Sequence, residues 1–201
     1  MGGVEPAFTF VKAMLEAGKQ VATSNKNLVA AKGAELIKVA RDHGVNFQFE
    51  ASVGGGIPII RPLNKCLTAD EIEEITGILN GTTNYMLTKM DKEGETFENA
   101  LKEAQNLGYA ERNPEADVEG HDACRKIAIL TSLIAGQHVD FETIHTEGIT
   151  KITTDDMKYA KKMNMAIKLL ASSKREGESF SAIVAPMLLS EEHPLCNVND
   201  V

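Results

Sequence analysis

A chain of 201 residues with 43% apolar and 25% charged side chains is long enough to bury a core and too apolar to be disordered. Its net charge of −8 excludes a nucleic-acid binder, which needs a basic face against phosphates, and suits small or cationic partners. Three cysteines with no CxxC, no metal-spaced histidines and an uncharged run (127–139) well short of a membrane span give a chain read as cytoplasmic, without disulfides or a membrane partner.

The opening segment, MGGVEPAFTFVKAMLEAGKQVATSNK, predicts a turn, a helix stopped near Gly18 and a short strand over 20–23 with no earlier strand to pair with. Residues 1–26 therefore read as the last piece of a βαβ domain, and 27–201 as a second domain. NLVAAKGAELIKVARDHG predicts an amphipathic helix, with Leu28, Ala31, Leu36, Val39 and Ala40 on its apolar side and Gly44 as its stop. VNFQFEASV follows as a strand burying Val45, Phe47, Phe49, Ala51 and Val53 on one face. The glycines of VGGGIPII lack dinucleotide-fingerprint spacing, because Ile59 stands three after Gly56 and Pro58 intervenes. The turn is either a tight strand exit or a loop whose carbonyls turn inward around a hard cation.

ITGILNGTTNYMLTKM predicts a strand, a polar turn over 80–83 and a helix started by Thr82 or Thr83. TFENALKEAQNLG predicts a short helix capped by Thr96 and ended by Gly108. The next loop concentrates Glu111, Glu115, Asp117, Glu119, Asp122 and Lys126. Pro114 blocks helix there, and Asp117 is placed to cap a new one over 118–134.

On that helix Asp122 and Lys126, four apart, share a face, and the apolar run IAILTSLIAG begins just past the lysine. A lysine at such a boundary is partly desolvated, which suits a proton donor. The same spacing also describes an ordinary surface pair, and Asp117, Glu119 and Asp122 could alternatively hold a divalent cation. TTDDMKYAKKMNMAIKLLASS predicts one helix with Ala160, Met163, Ile167 and Leu170 as its core stripe. SAIVAPMLL predicts a strand, after which the chain stops without a closing element.

GGVEPA, VATSNK, FEASVGGGIPII, GILNGTTNYML and above all GYAERNPEADVEGHDACRK match, in order, segments of the homoserine dehydrogenase family. The whole chain resembles the central and larger part of such an enzyme, a fragment whose cofactor-binding first half and closing segment are absent. The resemblance implies an α/β fold of α+β character: a mixed-sheet catalytic and dimerisation domain with helices on one face, after a Rossmann-type remnant.

It implies an NAD(P)-dependent oxidoreductase interconverting L-homoserine and L-aspartate 4-semialdehyde in threonine, methionine and isoleucine biosynthesis, acting as a homodimer. By position, Lys126 resembles the proton donor, with Asp122 and Lys26 as its catalytic companions. Glu111, Asp117 and Asp122 resemble the substrate-binding carboxylates. Lys26, Gly108 and Glu111 resemble cofactor-side residues, and Glu50, Val53, Gly55 and Ile57 a loop for Na+ or K+ bound largely through carbonyls. The alternative is a noncatalytic substrate-binding or dimerisation module.

Overall fold

The structure, a computed structural model, describes residues 2–199. Asp200 and Val201, where the closing segment was expected to be missing, lie outside the described residues. The described residues divide into two compact units, one of 2–75 with 125–143 and 174–181, the other of 76–124, 144–173 and 182–199.

The first unit begins with α1 (Ala7–Glu16), β1 (Val21–Ala22), α2 (Lys26–Asp42) and β2 (Phe47–Gln48). The two strands pair in parallel, Val21 opposite Phe47, so β1, α2 and β2 form the β-helix-β crossover that parallel pairing requires. Ala7 and Leu15 of α1 meet Leu28, Leu36 and Ala40 of α2 in a core closed by Phe8, Val11, Val21, Val39, Val45 and Phe47.

The strand predicted over 45–53 is cut short at Gln48. Both the amide and the hydroxyl of Ser52 donate to the Phe49 carbonyl, at 2.9 and 2.6 Å, and wind Glu50–Ser52 into a 3-10 turn that leaves Ala51 exposed. A serine hydroxyl offers the backbone a local partner that competes with a sheet ladder. Helix α3 (Ile60–Lys65) follows.

The second unit contains β3 (Glu74–Gly77), α4 (Gly81–Glu93), α5 (Phe97–Asn106), α6 (Glu115–Val118) and the first turn of α7 (His121–Ala135). It continues with β4 (His145–Thr146), α8 (Thr154–Lys162) and most of β5 (Met165–Glu176) and β6 (Ser179–Ser190), whose residues within 174–181 fall in the first unit. Sheet order is β3-β5-β6-β4. Strands β5 and β6 are joined by two residues, Gly177 and Glu178, a connection that only antiparallel neighbours permit. β4 lies parallel to β6, with His145 opposite Ile183. The sheet is therefore mixed, as expected.

Three predicted boundaries move. Helix α4 is capped by Asn80, not by Thr82 or Thr83: the Asn80 side chain accepts from the Thr83 amide. The helix expected from Val118 is broken in two, because Gly120 adopts φ +81 between α6 and α7, so Asp117 lies inside α6 instead of capping α7. Gly148 explains the break: the Ile149 amide donates to the Val118 carbonyl at 2.8 Å, and a Cβ at position 148 would run into the backbone of Val118 and Glu119.

The single helix predicted over 153–173 is also two elements. It ends at Lys162, Asn164 takes a left-handed φ of 55, and Ile167 and Leu170 belong to β5. Residues 167–171, Lys168 among them, are all buried, and a run covered on both faces carries no period that separates strand from helix.

Candidate active site

The acid-rich loop is organised by Asn80. As the N-cap of α4, its Oδ1 accepts from the Thr83 amide and from the Thr83 hydroxyl, each at 2.9 Å. Those two donors settle which end of the amide is which. The NH2 group therefore points the other way, donating to Asp117 Oδ1 at 2.7 Å and to Asp122 Oδ2 at 3.1 Å. Asn80 and Asp122 are almost fully buried, and Asp117 is half-buried. One neutral amide thus brings two carboxylates from different helices within about 6 Å of each other. It aligns them without cancelling either charge.

Asp122 stands in the first turn of α7, where the helix dipole favours an anion. Lys126 follows one turn later on the same helix and is half-buried, just before the buried Ile127–Leu130 segment. Gly108, at φ +79, ends α5. Beside it the Tyr109 carbonyl accepts from the Thr82 hydroxyl at 2.6 Å, and Gln105 Nε2 donates to the Glu111 carbonyl at 3.1 Å, leaving the Glu111 side chain exposed. Among the described residues no three His, Cys, Asp or Glu side chains converge as a metal site, which counts against the divalent-cation reading of Asp117, Glu119 and Asp122.

In the first unit, Asn25 caps α2 through the Leu28 amide at 3.1 Å and donates its Nδ2 to the Gly3 carbonyl at 2.7 Å, tying the opening glycines to the strand exit. Lys26 is then the first residue of the helix. A cation at that end opposes the dipole, a placement local stability does not select. For the nicotinamide end of an NAD(P) cofactor, the backbone at Gly108 leaves room: a Cβ there would meet no atom within 4 Å. No pyrophosphate fingerprint occurs among the described residues.

In the VGGGIPII turn, Glu50 has a definite task. Its carboxylate accepts from the amides of Ile59, Ile60 and Arg61 at 2.6, 2.7 and 2.8 Å, closing the N-terminus of α3. Burial pushes the Glu50 carboxyl up, but those amides and the Arg61 charge outweigh it and hold it below its ordinary value. Val53 is buried, Gly55 and Ile57 are exposed, and the Ile57 carbonyl lies so near Gly54 that a Cβ there would approach it to 2.9 Å. The side chain of Glu50 is engaged in structure.

Sequence reasoning missed Asn80 as a site residue, placing it only in a polar turn. The signal was present: Asn followed three residues later by Thr at the start of a helix is an N-cap pattern. Only the tertiary fold shows where the other end of the amide points.

The family model described as homoserine dehydrogenase matches residues 58–201, and the chain belongs to that family. Homoserine dehydrogenase of Bacillus subtilis (strain 168) is 44% identical over 200 residues, which cover 100% of this chain and 46% of the relative. The crystal structure of a homoserine dehydrogenase from Thiobacillus denitrificans superposes with a TM-score of 0.96 at 44% identity, again over 100% of this chain and 46% of that one. A hyperthermophilic archaeal homoserine dehydrogenase in complex with NADPH superposes with a TM-score of 0.83 at 31% identity, over 96% of this chain and 56% of its own. The chain spans about half the length of the relatives it matches.

Proposed function

We propose that this chain is the substrate-handling part of an NAD(P)-dependent homoserine dehydrogenase that interconverts L-homoserine and L-aspartate 4-semialdehyde. The observation that carries the reading is the pair of carboxylates, Asp117 and Asp122, aligned by Asn80 and followed one turn later by Lys126. Two carboxylates this close attract a cation, and an amino-acid substrate brings one in its α-ammonium group.

When bound, the nicotinamide supplies or accepts the hydride. In the reducing direction Lys126 gives a proton from Nζ to the aldehyde oxygen as the new C–H bond forms. The O–H bond is completed and no alkoxide is left behind. In the oxidising direction neutral Lys126 takes the hydroxyl proton. Glu111 joins Asp117 and Asp122 in binding the substrate, Lys26 assists Lys126 and faces the cofactor, and Gly108 with Glu111 borders the nicotinamide. Residues 1–26 close a dinucleotide-binding domain and 27–201 form the catalytic and dimerisation domain.

The deciding experiment is Lys126→Ala in a full-length enzyme carrying this segment. A general acid contributes about 10²- to 10⁴-fold, so kcat should fall by that much with nicotinamide affinity retained. A kcat within about twofold of wild type would return Lys126 to the role of a surface pair with Asp122, and an inactive wild type would favour the noncatalytic module.

The VGGGIPII turn is assigned Na+ or K+ through the carbonyls of Val53, Gly55 and Ile57, with Glu50 supporting the loop from behind. Exchanging either ion for a bulky organic cation should lower the melting temperature, and no ion dependence would remove the assignment. β4 covers only two residues of the long strand β6, and an edge of that kind suits pairing with a second copy. A homodimer, testable by light scattering, and a cytoplasmic place in threonine, methionine and isoleucine biosynthesis complete the reading.

A further inference from the structure

We infer that Asn80 is the positioning residue of the substrate site: its amide sets the spacing and orientation of Asp117 and Asp122, and so the affinity for the substrate's ammonium group. The inference rests on the proposed function for its substrate and on the geometry for its mechanism. Asn80 sits at the first point of α4, and its two functional ends do different things. Oδ1 is held by the Thr83 amide and the Thr83 hydroxyl, which fixes the side chain as firmly as the helix end itself.

Nδ2 carries two hydrogens, and each goes to a different acid, one on α6 and one on α7. Those helices meet at Gly120, and the amide joins a carboxylate on each of them from a third element, α4.

The residue type matters. Two carboxylates this close repel one another, and a lysine or arginine between them would neutralise the site. An aspartate would add a third negative charge. A short neutral side chain with two donors and one acceptor is what lets one residue cap a helix and donate to two carboxyl groups without adding a charge. Asparagine alone has that set at this length.

Asn80→Asp separates this role from helix capping, because Asp caps a helix as well as Asn does. The variant keeps the acceptor facing Thr83 and loses both donors. With three carboxyl groups crowded together, one holds its proton to higher pH than an ordinary acid. In that protonated form it donates one hydrogen bond and partly restores the arrangement. Once the proton is lost, the donor is lost and repulsion takes its place.

In a full-length enzyme carrying the segment, Asn80→Asp should raise KM for homoserine about 10- to 100-fold at alkaline pH, the usual effect of removing a hydrogen bond to a charged group. KM should recover toward wild type as pH falls, while kcat changes less. A KM within about twofold of wild type, with no new pH dependence, would reduce Asn80 to a helix cap and overturn the inference.

A second measurement does not depend on activity. In the 201-residue chain, carbon-13 spectra of the aspartate carboxyls should show Asp117 and Asp122 both titrating at higher pH in Asn80→Ser, which keeps a cap and loses the two amide donors. If neither moves, the clamp is not there. A wild-type enzyme that does not turn over homoserine would sink the proposed function and leave the carboxyl titration to decide the clamp.

Discussion

Two acidic regions of this molecule look alike in the primary structure and do opposite things. Glu50 places both carboxylate oxygens on three backbone amides at the start of α3. Its charge answers the helix end, and the VGGGIPII turn is braced. Asp117 and Asp122 instead share one neutral amide, which aligns them and leaves their charges uncancelled by it. The Glu50 carboxylate closes a helix end with main-chain amides, whereas the Asn80 side chain links two acids from different helices.

Gly148→Ala should disturb the acid-rich segment most severely. The added methyl would run into the Val118 and Glu119 backbone, and with backbone on the far side little can give. A loss of about 3 kcal/mol or more is expected by urea denaturation, the upper end of what overpacking does. The break between α6 and α7 would shift with it, and substrate affinity should fall in parallel. A loss under about 0.5 kcal/mol would mean that the segment before α7 is not seated on Gly148.

Glu50→Gln should lower stability by about 1 to 2 kcal/mol at pH 7, the range for a lost helix-end partner. Because the Glu50 carboxyl is held below its ordinary value of 4.5, its ionised form stabilises the folded state. That contribution is present above the unfolded value and disappears as pH falls through the folded one. The difference between wild type and variant should therefore be largest near neutrality and shrink below about pH 4. A gap that stayed constant with pH would show that the amides bind the side chain without regard to its charge.

Asp117→Asn should have the smallest effect on folding and a large one on substrate. Relieving repulsion between two close acids offsets the altered hydrogen bond, so the stability change should stay within about 0.5 kcal/mol or be favourable, as is common when a functional residue is neutralised. KM for homoserine should rise. A variant that instead melted as early as Glu50→Gln, with KM intact, would place Asp117 with Glu50 among the scaffold acids.

The chain's local chemistry determined much of this by itself. The amphipathic spacing of 28–40, the Thr96 cap and the Gly108 stop predict α2 and α5, and the structure has them where expected. The four-residue spacing of Asp122 and Lys126 puts both on one helix, and the long motif around them identifies the family. These are short-range properties, carried by propensity, capping and period.

Tertiary structure decided the rest. Ile167 and Leu170 fit a helical stripe equally well, and only burial on both sides of β5 made them a strand. Asp117 looked like a cap until the approach of Gly148 bent the chain at Gly120. Asn80 could be read as a helix start, but no local rule says that its amide would find two acids 37 and 42 residues away. A side chain's own preferences reach about one turn along the chain; which distant group meets its other end is settled only when the helices pack.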